Sequence, residues 1–244
     1  MSTRRADLVL VERGLFESRA KARAAIDAGG VTADGAPVVR AAQLVPIDAD
    51  IVATPAHPWV GRGGLKLDHA LRLWPVAVRD AVVLDVGAST GGFTEVCLAH
   101  GAAKAFAVDV GREQLHPSLR ADPRVVDLPG LDARDLTAIV IAEAPNLIVC
   151  DASFIGLAKV LPAALALAAP DAQLVALVKP QFEAGPEHIG KGGIVRDEAV
   201  RADALRAVVD WLETVGWTVR ATADSPILGG EGAREYLLWA VKPS

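Results

Sequence analysis

Between Arg5 and Arg13 the apolar residues Leu8, Val9 and Val11 share a face, which predicts a helix ending at Gly14. Ser18 stands where a helix cap belongs, and "SRAKARAAIDAGG" predicts a second helix that stops at Gly29-Gly30. "VTADGAPVV" places two short apolar runs about Asp34-Gly35, the turn chemistry of a tight hairpin. Together these form a small helix-helix-hairpin unit. "ATPAHPWVGRGG" then breaks all periodicity with two prolines and three glycines. The expected organisation is a module over 1–56, a linker over 57–61 and a larger domain over 62–244.

Past the linker the pattern changes. "AVVLDVG", "AKAFAVDV", "NLIVCDA" and "AQLVALVK" are short apolar runs separated by helical segments, as buried parallel strands in βαβ units are. "TVRATAD" and "REYLLWAV" alternate more and are expected to close the sheet on one edge. The fold class this predicts is α/β, a doubly wound sheet preceded by the small module. One strand ends oddly. In "LVALVKP" five apolar residues run into Lys179 and a proline, and a buried strand gains nothing from an ammonium unless a site needs the charge.

Composition fits this division. Apolar residues make up 52% and charged residues 23% of the 244, a globular balance without low-complexity tracts or repeats. Cys97 and Cys150 lie in apolar runs without metal-ligand spacing, which points to plain core positions in a reducing compartment and to no metal site. The start offers only "LVLV" between charges and no later stretch is long enough for a span, so a cytoplasmic protein with no membrane partner is expected. Net charge is −5, but residues up to Asp80 carry 11 basic and 9 acidic groups and the rest 14 and 21. Any polyanion-binding surface is therefore expected near the N-terminus.

The candidate chemistry lies at strand ends. "VVLDVGASTGGFTEVCLAHGA" reads as strand, glycine loop and helix, an arrangement that brings backbone amides to a ligand. Gly87, Gly91 and Gly92 are not spaced as G-x-G-x-x-G, which argues against a nicotinamide dehydrogenase, and Asp85 precedes them. A carboxylate there repels a pyrophosphate and suits an amino group. Asp109 ends the next strand, where an acid accepts ribose hydroxyls, and Asp132 in "GLDARDL", further along the chain, is placed to meet an adenine amine. Ammonium, ribose and base together describe S-adenosylmethionine. "GPEHIGKGG" matches a phosphate-binding loop at Gly185, Gly190 and Lys191 but has Gly192 where Ser or Thr is required, so it is read as a glycine-rich loop near the site.

Asp151 and Lys179 end two strands at the ligand edge, and Lys66 and Glu235 stand at the entering helix and the last strand. These four resemble the Lys-Asp-Lys-Glu tetrad of FtsJ-like 2′-O-methyltransferases. "SRAKA", "VGRGGLKL", "LDVGASTGGFTEVCLAHGA", "DASFIGL", "VKPQFE" and "GGIVRD" further resemble the TlyA family, ribosomal RNA 2′-O-methyltransferases often labelled hemolysins. The resemblance covers nearly the whole chain. It implies a Rossmann-like methyltransferase domain, S-adenosylmethionine as cofactor, catalytic roles for Lys66, Asp151, Lys179 and Glu235, and cofactor positions at Asp85, Gly87, Ser89, Gly91, Phe93 and Asp109. The first unit is similar to an RNA-binding module first described in a small-subunit ribosomal protein, which implies that Arg4, Arg5, Arg19, Lys21 and Arg23 lie on RNA backbone. A solvated helix face is the plainer reading of that cluster. The chain departs from the family at His57-Pro58 before Trp59-Val60, and at Ala233, where the family has asparagine.

The reaction expected is methylation of a cytidine 2′-hydroxyl in ribosomal RNA. Such a hydroxyl is a weak nucleophile, so transfer requires alignment and a group to take or steer its proton. Lys179 is the candidate, as neutral base or charged donor. Ribosomal RNA or a ribosomal subunit is the expected partner, with no stable protein partner evident. Since the chain stops at "WAVKPS", without the extension associated with action on both subunits in the family, large-subunit RNA is favoured. The alternative is a silent RNA-binding or membrane-active protein. The intact glycines and tetrad argue against silence, and the missing export signal and span against pore formation.

Overall fold

The computed structural model describes residues 2–243. The chain divides into two compact units, Met1–Pro58 and Trp59–Ser244.

The first unit opens with β1 (Thr3–Arg5) and α1 (Ala6–Glu12), followed by α2 (Arg19–Asp27), β2 (Val31–Ala33), β3 (Ala36–Pro37), β4 (Leu44–Pro46) and β5 (Ile51–Ala53). Ser18 caps α2 by accepting from the Lys21 amide at 3.3 Å. The hairpin turn has positive φ at both central residues, Asp34 at 51° and Gly35 at 76°, the handedness that matches strand twist. β2 pairs with β3 and, on its other side, antiparallel with β5, while β1 pairs with β4. Val9, Leu10, Phe16, Ala22, Ala25, Ile26 and Val31 form its core.

The second unit runs α3 (Gly63–Leu73), β6 (Val82–Val86), α4 (Gly92–Ala99), β7 (Lys104–Asp109), α5 (Pro117–Arg120), β8 (Val125–Pro129), β9 (Leu147–Cys150), α6 (Leu157–Val160), α7 (Pro162–Leu167), β10 (Gln173–Val178), α8 (Pro180–Glu183), α9 (Glu198–Thr214), β11 (Thr218–Asp224) and β12 (Tyr236–Val241). Its seven-stranded sheet has the order β11-β12-β10-β9-β6-β7-β8. β8, β7, β6, β9 and β10 are parallel, and β12 and β11 close one edge antiparallel. The order reverses direction between β6 and β9, the switch point at which doubly wound sheets bind ligands.

Both faces of this sheet are covered, which explains why its strands read as unbroken apolar runs. Leu84, Val86, Ile148 and Leu174 pack on one side with Leu161, Val208 and Leu212. Val83, Val149, Val175 and Leu177 pack on the other with Leu67, Phe93 and Val96. Cys97 and Cys150 are free, buried thiols in these two layers, and burial pushes the Cys150 thiol up to about 12. Among the described residues no helix is long and apolar enough to cross a membrane.

Candidate active site

The carboxyl ends of β6, β7, β9 and β10 are brought to one edge by their parallel register, with Val86 opposite both Val108 and Cys150. Two adjoining crevices open there. One, of about 530 Å³, takes Lys66, Asp151, Lys179 and Glu235 into its wall, together with Gly192 and Gly193 of the glycine-rich loop. The other, of about 500 Å³, is lined by Asp109, Asp132, Val110 and Leu131. Gly87, Ser89, Asp151, Ser153 and Phe154 belong to both.

The four tetrad residues converge from four elements. Lys66 in the second turn of α3 donates to Glu235 Oε2 at 2.6 Å and stands 3.7 Å from Asp151 Oδ2. Lys179 Nζ lies 2.6 Å from Asp151 Oδ1, and donates to Ser153 Oγ at 2.8 Å and to the Asp151 carbonyl at 3.2 Å. Its contact with Oδ1 is ionic rather than directed, since its aligned bonds go to the other two oxygens. Lys66, Lys179 and Glu235 are 7%, 6% and 5% exposed, a burial that ions tolerate only as a paired set. The oddity of "LVALVKP" resolves here. Lys179 is extended, at φ −111° and ψ 101°, the region that a residue before proline favours, and Pro180 starts α8 where a missing amide costs nothing.

The glycine loop follows the pattern read from sequence. Gly87 and Gly91 have φ of 81° and 93°, and a Cβ on Gly87 would lie 2.9 Å from Ala152 Cα, so only glycine fits between the ends of β6 and β9. Ser89 is also left-handed, at φ 48°, and its amide donates to Asp109 Oδ2 at 2.8 Å, while the Gly111 amide donates to Oδ1 at 2.7 Å. Asp109 is thereby fixed at the rim of the second crevice. Phe93 is 3% exposed in the first turn of α4 and reaches the first crevice. Asp132 lines the second crevice, but its carboxylate is held by Arg134 at 2.6 Å and 3.0 Å, which lowers it to about 2.

Asp85 is placed differently from the other candidates. It is fully buried behind the loop and lines neither crevice. Thr94 donates to its Oδ2 at 2.6 Å, while among the described residues Oδ1 has no hydrogen-bond partner. Burial pushes this carboxyl up to about 7, against the Thr94 bond that favours the anion. An unmatched buried carboxylate oxygen behind a glycine cradle fits a ligand that carries an amino group.

Three contributors carry no periodic signal. Ser153 accepts from Lys179, and Glu183 accepts from the Leu157 amide at 2.8 Å, beneath the turn that holds Phe154. Phe154 itself is 90% exposed, at φ 67°, with its ring 5.3 Å from that of Phe182. A large aromatic held in left-handed backbone at a crevice mouth is strained, and strain of this kind concentrates at functional sites. The Ala233 departure is compensated by backbone. Its carbonyl accepts from the Gly229 amide at 2.8 Å and its amide donates to the Gly230 carbonyl at 3.0 Å.

In the first unit each of the five basic candidates has an acidic partner. Arg5 and Arg19 both bind buried Asp7, at 2.9 Å and 2.8 Å, and hold its carboxyl well below the usual range. Arg4 pairs with Glu12, Lys21 with Glu17 and Arg23 with Asp27. Residues 1–58 carry seven basic and seven acidic side chains, so the surplus positive charge read up to Asp80 lies after this unit.

The family described as FtsJ-like methyltransferase matches residues 59–242, and the S4 domain matches residues 4–51. The 16S/23S rRNA (cytidine-2′-O)-methyltransferase TlyA of Mycobacterium tuberculosis is 46% identical over 237 residues, 96% of this chain and 88% of that protein. YqxC of Bacillus subtilis, which is named as an rRNA methyltransferase, is 43% identical over 96% of this chain and 84% of its own length. The solved structure of a hemolysin-named protein from Streptococcus thermophilus superposes with a TM-score of 0.78 at 37% identity, covering 100% of this chain and 90% of that one. The chain therefore belongs to the FtsJ-like methyltransferases, as a TlyA-type member that carries an S4 domain ahead of its S-adenosylmethionine-dependent domain.

Proposed function

We propose that this protein methylates the 2′-hydroxyl of cytidine in ribosomal RNA, in the cytoplasm, with large-subunit RNA as the favoured substrate. The observation that carries the reading is the buried tetrad, in which Lys66 bridges Glu235 and Asp151 while Lys179 lies between Asp151 and Ser153. S-adenosylmethionine supplies a methyl carbon activated by a sulfonium. Asp109 would hold the ribose of that cofactor and Asp132 its adenine, Gly87, Ser89, Gly91 and Phe93 would shape the cradle, and Asp85 would counter its amino group from behind the loop. Lys179 takes or steers the proton of the attacking hydroxyl. As placed it only donates, to acceptors on Asp151 and Ser153, which favours the steering role. Lys66 fixes the two carboxylates so that Asp151 keeps Lys179 aimed into the crevice. The exposed Phe154 ring offers the face on which an unstacked base settles. The first unit supplies the RNA contacts, through Arg4, Arg5, Arg19, Lys21 and Arg23.

The test uses purified protein, labelled S-adenosylmethionine and each unmodified ribosomal RNA, followed by mass spectrometry of the products. We expect 2′-O-methylcytidine on large-subunit RNA, loss of at least a hundredfold in turnover for Lys179→Ala, and cofactor affinity within a few-fold of wild type by calorimetry. Full turnover in the Lys179 variant would remove the proposed role of that residue, and methyl transfer to both RNAs would correct the subunit assignment.

A further inference from the structure

Glu231 stands in the crevice of the tetrad and has no part in the chemistry so far described. It lies in the turn Gly230–Gly232 between β11 and β12, at φ 54°, with a glycine on either side. It lines the first crevice alongside Glu235, Lys66, Lys179, Phe154 and Phe182. Among the described residues its carboxylate has neither an ion pair nor a hydrogen bond, in contrast to Glu235, four residues later.

The turn that presents it is well fixed. Arg62 Nη2 donates to the Leu228 carbonyl at 2.7 Å, and the Gly229 amide donates to the Ala233 carbonyl at 2.8 Å. A Cβ on Gly229 would fall within 2.7 Å of the Glu235 carboxyl carbon, so the turn packs directly on the tetrad. Glu231 is thereby presented on the wall of the crevice that holds the tetrad. An uncompensated carboxylate in the path of a polyanion is unfavourable, unless it meets a hydrogen-bond donor that the wrong substrate lacks.

Nucleobase edges differ in this respect. Cytosine presents an exocyclic N4 amine, to which a glutamate is a natural acceptor, whereas uracil presents the O4 acceptor at the same position. We infer that Glu231 is a specificity-determining residue, accepting a hydrogen bond from the exocyclic amine of the target base and thereby selecting cytidine against uridine. The inference rests on the proposed reading of the site as a ribose 2′-O-methyltransferase and assigns the base preference of that site to one side chain.

The experiment uses the full chain, labelled S-adenosylmethionine and ribosomal RNA transcribed in vitro, with the mapped target cytidine and, in parallel, with uridine at that position. Wild-type protein is expected to favour the cytidine transcript in kcat/KM by roughly ten- to hundredfold. Glu231→Ala and Glu231→Gln are both expected to bring that ratio down towards one, chiefly by losing rate on cytidine with alanine and by gaining rate on uridine with glutamine, whose amide can donate to O4. Calorimetric affinity for S-adenosylmethionine is expected to stay at the wild-type value in both variants. A ratio that survives both substitutions, or an equal fall on the two transcripts, overturns the inference while leaving the methyltransferase reading intact. Absence of methyl transfer by the wild-type protein to either transcript overturns both together.

Discussion

Asp85 is the residue at which burial and function conflict most openly. Its carboxyl is pushed up to about 7 by burial, while in the unfolded chain it titrates near 3.8. Between those values the folded protein keeps a proton that the unfolded chain has released. The contribution of this group to stability is therefore intact below 3.8 and is lost as pH rises through about 7. Asp85→Asn preserves the shape and removes the titration. In the absence of cofactor we expect this variant to gain in thermal midpoint relative to wild type as pH is raised from about 5 to about 8, by several degrees over that range. Differential scanning calorimetry checks it, and a midpoint difference that stays constant with pH would show that Asp85 is already ionised in the folded protein throughout that range. The tetrad behaves differently because each of its charges has an opposite neighbour within 3.7 Å. Such a set offsets its desolvation only while complete, and removal of one member leaves an uncompensated buried charge that is strongly destabilising.

At the scale of elements, the strand-loop-helix of β6 and α4 is where backbone geometry dictates residue type. Gly87→Ala would place a methyl 2.9 Å from Ala152 Cα and 3.0 Å from Ala152 N at φ +81°, against backbone that cannot rotate aside. We expect a loss of about 1–3 kcal/mol in unfolding free energy and weakened S-adenosylmethionine binding, read by denaturant titration and calorimetry on the same samples. Wild-type values in both would mean that β6 and β9 separate more easily than their parallel pairing implies. This element is legible in sequence because strand, acid and glycines fall in one short window. So are β7, β9, β10 and β12, whose apolar runs record burial. β8 is not, because as an edge strand with Asp127 in its middle and only partial burial it lacks an apolar run. β1, β4 and β5 span three residues each, too short for alternation to register. Ser153, Glu183 and Glu231 are invisible for a related reason. They sit in loops or, for Glu183, at the end of the single-turn helix α8, where position depends on hydrogen bonds made across the fold rather than on sequence spacing.

At the scale of the whole molecule, net charge says less about RNA binding than its pairing does. Residues 1–58 are neutral in sum, and the remaining residues carry 18 basic and 23 acidic side chains, so attraction to a polyanion must come from local arrangement. In sequence the five candidate cations of the first unit, of its seven, form one cluster, whereas the structure divides them by partner. Arg19 is tied to buried Asp7, and Arg19→Glu would set a second acid against a carboxylate that is 4% exposed. That variant is expected to unfold the S4 unit rather than report on RNA, with loss of its share of the helical circular dichroism signal. Lys21 and Arg23 pair instead with exposed acids, Glu17 just before the α2 cap and Asp27 at the end of α2, and exposed pairs of this type contribute about 1 kcal/mol or less. They can exchange those partners for phosphates with little penalty. The double variant Lys21→Glu, Arg23→Glu is accordingly expected to fold normally, to bind ribosomal RNA more weakly, and to lower the slope of log affinity against log salt by about two units, one for each phosphate no longer neutralised. Fluorescence anisotropy over a salt series measures the slope, and one equal to wild type would show that this helix face meets only solvent when RNA is bound.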